Sequence, residues 1–274
     1  MDLNTITSVK RPGTPGDVAG WPAGHAWLGG GTWLFSEPQP SLDTLVDLES
    51  FGWPSLVVKD GGLEIAATCR IAELDAFQPP ADWAAGTLLR ECCRSLLASF
   101  KIFNTATVGG NICMSLPAGA LTSLATSLEA SYTLWPRAGE PRVVRAVDFV
   151  TGDHRNILAP GELLRSIWIP GSALGKRFAF RRATLTHLGR SAAILIGTQS
   201  PGTSDLTLTI TAATPKPVQL QFAEMPKADG LRAAIRAQVA DDGFFDDVNG
   251  TPAYKRHLTY AFAEQIRIEL GASA

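Results

Sequence analysis

Asn104-Thr105-Ala106-Thr107-Val108-Gly109-Gly110-Asn111 lies between two stretches with helical spacing, and the reading of the whole chain turns on it. Adjacent glycines leave a backbone without Cβ atoms and with access to positive φ, so consecutive N–H groups can converge on an anion at close range. A second element of this kind comes earlier: Gly29-Gly30-Gly31-Thr32-Trp33-Leu34 follows directly on the strand-like run Ala26-Trp27-Leu28. A pyrophosphate needs such a donor array, each charge-assisted bond contributing about 1.5–3 kcal/mol. Two facing loops would clamp it from both sides, although either alone is more often a tight turn. The commoner nucleotide signatures do not fit. Gly-x-Gly-x-x-Gly would require a glycine where Leu34 stands, and the Gly175-Lys176 pair is followed by Arg177, with Pro170 five positions before it.

Working outward, short strands are expected at Ala26–Leu28 and Leu45–Leu48, then a hairpin with Leu56–Lys59 and Leu63–Ala67 joined through Asp60-Gly61-Gly62. Leu88, Leu89, Cys92, Cys93, Leu96, Leu97 and Phe100 recur at the spacing of one helical face, which predicts a helix over about 86–100 with that stripe buried. A second helix near 118–129 places Leu121, Leu124, Ala125 and Leu128 on one side. Gly171 to Gly175 has linker composition and marks the main expected boundary. Beyond it, strand-like runs at Arg177–Arg182, Ala192–Ile196 and Leu206–Ile210 precede two closing helices. The last of these has Thr251 as N-cap and Pro252 in its first turn. Short strands mixed with helices, without regular βαβ alternation, predict an α+β fold.

Composition narrows the function classes. The 274 residues exceed one minimal domain, and the 18% charged share is below the roughly 25% of an ordinary domain, a slight lean towards a subunit with a covered face. A net charge of −2 provides no basic field for nucleic acid or anionic membrane. The start Met1-Asp2-Leu3-Asn4 lacks the pattern of a secretory leader, and no apolar run reaches the ~20 residues of a membrane helix. A cytoplasmic protein is expected. Cys69, Cys92, Cys93 and Cys113 include no Cys-x-x-Cys pair, and the histidines at 25, 154, 187 and 257 show no ligand spacing. No zinc or iron–sulfur site is therefore expected to be encoded locally. Cys92 and Cys93 lie on the apolar stripe and are expected to be inert core residues.

The two glycine elements and their surroundings resemble the FAD-binding medium subunit of the xanthine dehydrogenase and carbon monoxide dehydrogenase family of molybdenum hydroxylases. Asn104 to Asn111 is the most specific match. Val147-Asp148-Phe149, the run Gly161-Glu162-Leu163-Leu164-Arg165-Ser166-Ile167 up to Pro170, and Gly250 to Leu258 extend the likeness over nearly the whole chain. The resemblance implies a two-lobed FAD-binding domain of the vanillyl-alcohol-oxidase-like type, with lobes at 1–52 and 53–172, and a C-terminal α+β domain at 176–274 holding a small antiparallel sheet and helices. It carries over Leu28, Gly29, Gly30, Gly31, Thr32, Trp33 and Leu34, with Thr107, Val108, Gly109, Gly110 and Asn111, as pyrophosphate and adenosine contacts of FAD. Leu164 would lie beside the flavin end. Arg181 is placed either near the flavin or in a surface ion pair.

Three departures stand out. Trp33 replaces an aspartate of the family's first loop and is expected to be a packing residue. Leu116-Pro117-Ala118-Gly119-Ala120 lacks the serine and aspartate of Ser-Pro-x-x-Asp, and Thr14–Ala23 is too rich in Pro and Gly for the helix usual there. The resemblance implies an electron-transfer subunit that takes electrons from a two-iron two-sulfur subunit, beside a molybdopterin-binding subunit that hydroxylates the substrate, and passes them to an external acceptor. Two other readings stay open: a free-standing FAD oxidoreductase of the same fold, and a degenerate flavin-free scaffold or assembly subunit.

Overall fold

The computed structural model describes residues 4–18 and 20–272; Met1–Leu3, part of the start read for a leader, lie outside the described residues. The first sheet is small and parallel, from β1 (Ser8–Lys10), β2 (His25–Leu28) and β3 (Thr44–Asp47) in the order β1-β3-β2. The Pro- and Gly-rich stretch after β1 carries a 3-10 turn at Pro15–Asp17.

The expected hairpin forms as β4 (Leu56–Lys59) and β5 (Gly62–Ala66). Pairing of Lys59 with Gly62 leaves a two-residue loop whose Asp60 and Gly61 have φ of 45° and 71°, a type I′ turn matched to the strand twist. Next come α1 (Ile71–Ala76), α2 (Gly86–Arg94), α3 (Phe100–Phe103), α4 (Val108–Cys113) and α5 (Ala120–Ser127). They are followed by β6 (Ser131–Trp135), β7 (Arg142–Arg145), α6 (Ala146–Phe149), β8 (Val150–Gly152), β9 (Arg155–Asn156) and β10 (Leu163–Ile169). The second sheet is antiparallel in the order β4-β5-β10-β6-β7, so β10 returns from far along the chain to sit at its centre.

The helix expected over 86–100 is broken. Ser95 turns its hydroxyl back onto the Glu91 carbonyl at 2.8 Å, and Ser99 caps the separate turn α3 by accepting from the Ile102 N–H. Leu97 and Phe100 thereby leave the buried stripe and are 57% and 73% exposed. Gly171–Gly175 is no open linker. It folds as α7 (Gly171–Leu174), with Ala173 and Leu174 buried, and a Cβ on Gly171 would stand 1.8 Å from the Gly61 carbonyl oxygen.

The third sheet is an antiparallel meander of β11 (Arg177–Thr184), β12 (Ser191–Gln199), β13 (Leu206–Thr211) and β14 (Val218–Phe222). The fourth strand is absent from the sequence reading, although Val-Gln-Leu-Gln-Phe alternates with period two. Every residue of β12 is buried. Ile194 and Ile196 point into the core shared with α2, α4 and α5, while Ala193 and Leu195 join the core under α8 (Ala228–Gln238) and α9 (Pro252–Gly271). Helix α5 is consequently enclosed on all sides, not on one: its eight residues are all buried, and Ser123 Oγ meets Thr211 Oγ1 at 2.6 Å. The fold is a mixture of α and β with several sheets. Among the described residues no helix is long and apolar enough to cross a membrane.

Candidate functional site: a cleft between two glycine elements

The end of β2 releases Gly29–Leu34 as a loop lying directly on the segment 105–107. The contact is too close for side chains: a Cβ on Gly30 would stand 1.9 Å from the Thr105 carbonyl oxygen, and one on Gly29 would stand 2.9 Å from Thr107 Oγ1. Gly31 alone of the three has a positive φ, 69°, and its carbonyl accepts from Phe35 N–H at 2.8 Å. The glycines are thus needed mainly for close approach, and positive φ is required only at Gly31.

The second element is the capped start of a helix rather than a loop between helices. Thr107 Oγ1 accepts from Gly110 N–H at 3.1 Å, while the N–H groups of Val108 and Gly109 donate to the carbonyls of Cys69 and Ala67 at 2.8 and 2.9 Å. A Cβ on Gly109 would meet the Ala67 side chain at 2.4 Å. The expectation that both elements offer free N–H groups is therefore corrected. At the second element these donors are spent on the protein, whereas none of the backbone N–H groups from Gly29 to Leu34 finds a protein acceptor among the described residues.

These unspent donors border a cleft of about 510 Å³. All six residues from Gly29 to Leu34 line it, with Thr107, Gly110 and Asn111 across from them. The Asn111 Oδ1 atom is buried without a hydrogen-bond partner, an acceptor awaiting a donor. Leu96, Ile102, Met114 and Leu116 supply an apolar wall, so a few polar groups sit in a mainly apolar site. Among the described residues that line it, Arg190 is the charged side chain and none is a carboxylate. The Cys113 thiol, also in the wall, is pushed up to about 12 by burial and stays neutral. Burial likewise holds the Cys93 thiol up at about 12 and raises that of Cys92, as expected of inert core residues.

The other expected contacts fall elsewhere. Leu28 lines a second pocket of about 250 Å³ on the far side of Gly29 and Gly30, together with Asp47, Glu49 and Arg70. Val108 and Gly109 are buried behind the cleft wall. Leu164 is a core residue of β10 paired with Leu134, and is not among the cleft-lining residues. Arg181 donates to Gln265 at 2.9 Å and pairs with Glu269 on α9, and it is not among the cleft-lining residues. Trp33 both lines the cleft and packs, its ring centroid 5.5 Å from that of His154. In the altered Ser-Pro-x-x-Asp position, Leu116 and Gly119 line the cleft and Ala120 is buried.

Sequence reasoning missed the segment 95–98, Arg190 and Ser191. The serines that break the long helix were a readable signal. Arg190 had none, because it is brought to the cleft by the hairpin β11–β12, whose turn Arg182 fixes through Gly189 O and Ser191 Oγ, both at 2.8 Å.

N–H groups without protein acceptors, an unpartnered amide oxygen, an arginine and an apolar wall meet at one cleft, an arrangement that could hold an extended ligand with an anionic centre. The comparisons give this class a family. Residues 23–172, more than half of the chain, match the family described as the FAD binding domain in molybdopterin dehydrogenase, and the chain belongs to that family. Its cofactor is FAD. The carbon monoxide dehydrogenase medium chain of Hydrogenophaga pseudoflava is 24% identical over 85% of this chain and 82% of its own length. That of Afipia carboxidovorans is 32% identical over 53% of this chain and 56% of its own length. The xanthine dehydrogenase of Oryza sativa subsp. japonica is 30% identical over 42% of this chain, a match that spans only 9% of that much longer protein. The fold is shared with a chain of reconstituted CO dehydrogenase from Oligotropha carboxidovorans, at a TM-score of 0.80, 21% identity and full coverage of both chains.

Proposed function

We propose that this chain is the FAD-binding electron-transfer subunit of a multi-subunit molybdenum hydroxylase, taking electrons from an iron–sulfur subunit and passing them to an external acceptor. The observation that carries the reading is that Gly29 to Leu34, whose N–H groups find no protein acceptor among the described residues, line one cleft together with Asn111 and several apolar side chains. That donor set fits FAD. The N–H groups from Gly29 to Leu34 would hold the pyrophosphate, with Arg190 adding charge. Asn111 would accept from a cofactor hydroxyl or ring N–H, and the Leu96 and Ile102 side would exclude water. When bound, FAD supplies the two-electron redox chemistry, and the protein contributes position and electrostatics.

With no carboxylate or histidine among the lining residues, the cleft holds no evident base for a free-standing substrate oxidase. The names of the carbon monoxide dehydrogenase relatives, both medium chains, support partner subunits. Within the same proposal, residues 1–52 and 53–172 are the two lobes of a vanillyl-alcohol-oxidase-like FAD domain, residues 176–274 are a C-terminal α+β domain packed on it through β12, and the assembly works in the cytoplasm. The test is reduction of the isolated chain after loading with FAD. Dithionite should bleach the flavin and an acceptor should restore it, with no hydroxylation of any substrate. Substrate oxidation by the metal-free chain would replace this reading with a free-standing flavoprotein.

A further inference from the structure

Ala212 has a φ of 63°, a conformation strained for any residue with a Cβ. It is the centre of a γ-turn at the end of β13, closed by Ala213 N–H donating to Thr211 O at 2.7 Å. Such strain persists only where neighbouring bonds over-determine it, and here they are identifiable. The Ala212 N–H donates to the Pro117 carbonyl at 2.8 Å, and its own carbonyl accepts from Lys255 Nζ at 3.2 Å. Lys255 is fully buried, pairs with Asp247 Oδ1 at 2.8 Å and lies 5.1 Å over the Phe245 ring. Phe245 in turn donates its N–H to Ala213 O at 2.9 Å. On the other side, Pro117 sits between Leu116 and Ala118, both in the cleft wall.

We propose that Lys255, paired with Asp247, is a positioning residue for the cofactor cleft: it holds the Ala212 turn, which holds the Leu116–Gly119 wall. The inference rests on the FAD reading above. A fully buried ammonium paired with a half-buried carboxylate is a poor stabiliser compared with apolar residues of the same shape, so its presence here calls for a directional role. An ammonium group supplies that direction, since it can donate to the carboxylate and to the turn carbonyl together. The C-terminal part of the chain therefore sets the shape of a cleft whose glycine elements are far away in sequence. The wall at 116–119 is fixed from behind by the backbone bond between Ala212 and Pro117.

The experiment compares the full chain with Lys255→Met, Asp247→Asn and the double variant Lys255→Met/Ala212→Gly. FAD affinity is read by titration, and amide exchange of residues 116, 118, 119 and 212 is read without cofactor. Lys255→Met and Asp247→Asn should weaken FAD binding about tenfold and speed exchange in that segment, leaving the β12 amides protected. Adding Ala212→Gly should recover most of the affinity, because glycine keeps the positive φ without the lysine. Protected β12 amides in the single variants separate this outcome from a global loss of stability. Should Lys255→Met fail to fold, the milder Asp247→Asn decides. Parent-like affinity and exchange in the variants would overturn the positioning role alone. A parent that binds no flavin would overturn the FAD reading and this role with it, a result recognisable from the parent titration.

Discussion

At the residue scale, Asn111 separates binding from stability with opposite signs. Its buried, unpartnered Oδ1 destabilises the empty protein and becomes useful only when a ligand donates to it. Asn111→Leu should therefore leave the melting temperature of the empty chain unchanged or higher, while weakening FAD by about 1 kcal/mol, roughly fivefold. Thermal melts with and without FAD check both halves. The glycines divide in a similar way. A side chain on Gly30 collides with the Thr105 backbone, so Gly30→Val should lower stability by about 1–3 kcal/mol or more and remove flavin binding together with it. At Gly110 an added Cβ meets only Thr107 Oγ1, at 2.9 Å. Gly110→Ala should cost no more than the cap it disturbs, about 1 kcal/mol, and show its main effect in the FAD titration.

At the element scale, the cleft depends on how its helices start and stop. Thr107 caps α4 and touches the first glycine loop, so Thr107→Ala should cost about 0.5–2 kcal/mol and Thr107→Ser much less, as read by denaturant melts. The turn before β10 carries a pH-sensitive tie. Glu162 is 5% exposed, and Arg142 holds it through two bonds of 2.7 and 2.8 Å. That arginine lowers the Glu162 carboxyl below its ordinary value, with burial opposing and the Ala159 N–H assisting. A depressed folded-state value contributes stability that is present above the unfolded value of about 4.3 and is lost as pH falls through the folded value. Glu162→Gln should flatten that acid limb in a stability–pH profile and leave the neutral plateau lower. The same scale shows what the sequence conceals. The β4–β5 hairpin was legible because Asp60-Gly61 carries its turn chemistry locally. The end of α2 was misread because the apolar spacing continues through Leu96, Leu97 and Phe100, while two serines, weaker signals, decide where the helix stops. Strand β14 alternates plainly, but Pro215 and Pro217 immediately before it read as turn and mask its start.

At the scale of the whole molecule, the glycine elements were legible as a pair and their division of labour was not. Local sequence shows which residues lack Cβ atoms. It does not show that Ala67 and Cys69 accept the N–H groups of the second element, because those acceptors come from a distant turn. Arg190 was invisible for the same reason, as it reaches the cleft only through the third sheet. The family resemblance indicated the cofactor, while the unspent donors of Gly29–Leu34 are the ground for proposing that this loop holds its pyrophosphate. A site that holds the pyrophosphate, as proposed, should discriminate between flavins that carry one and flavins that do not. The most direct measurement is a titration of the empty protein with FAD, FMN and riboflavin, together with chromatography of any cofactor released by heating the purified chain. The account predicts that FAD is released and binds at least about a hundredfold more tightly than FMN, the equivalent of two charge-assisted bonds. Equal affinity for FMN, or no flavin bound at all, would contradict it.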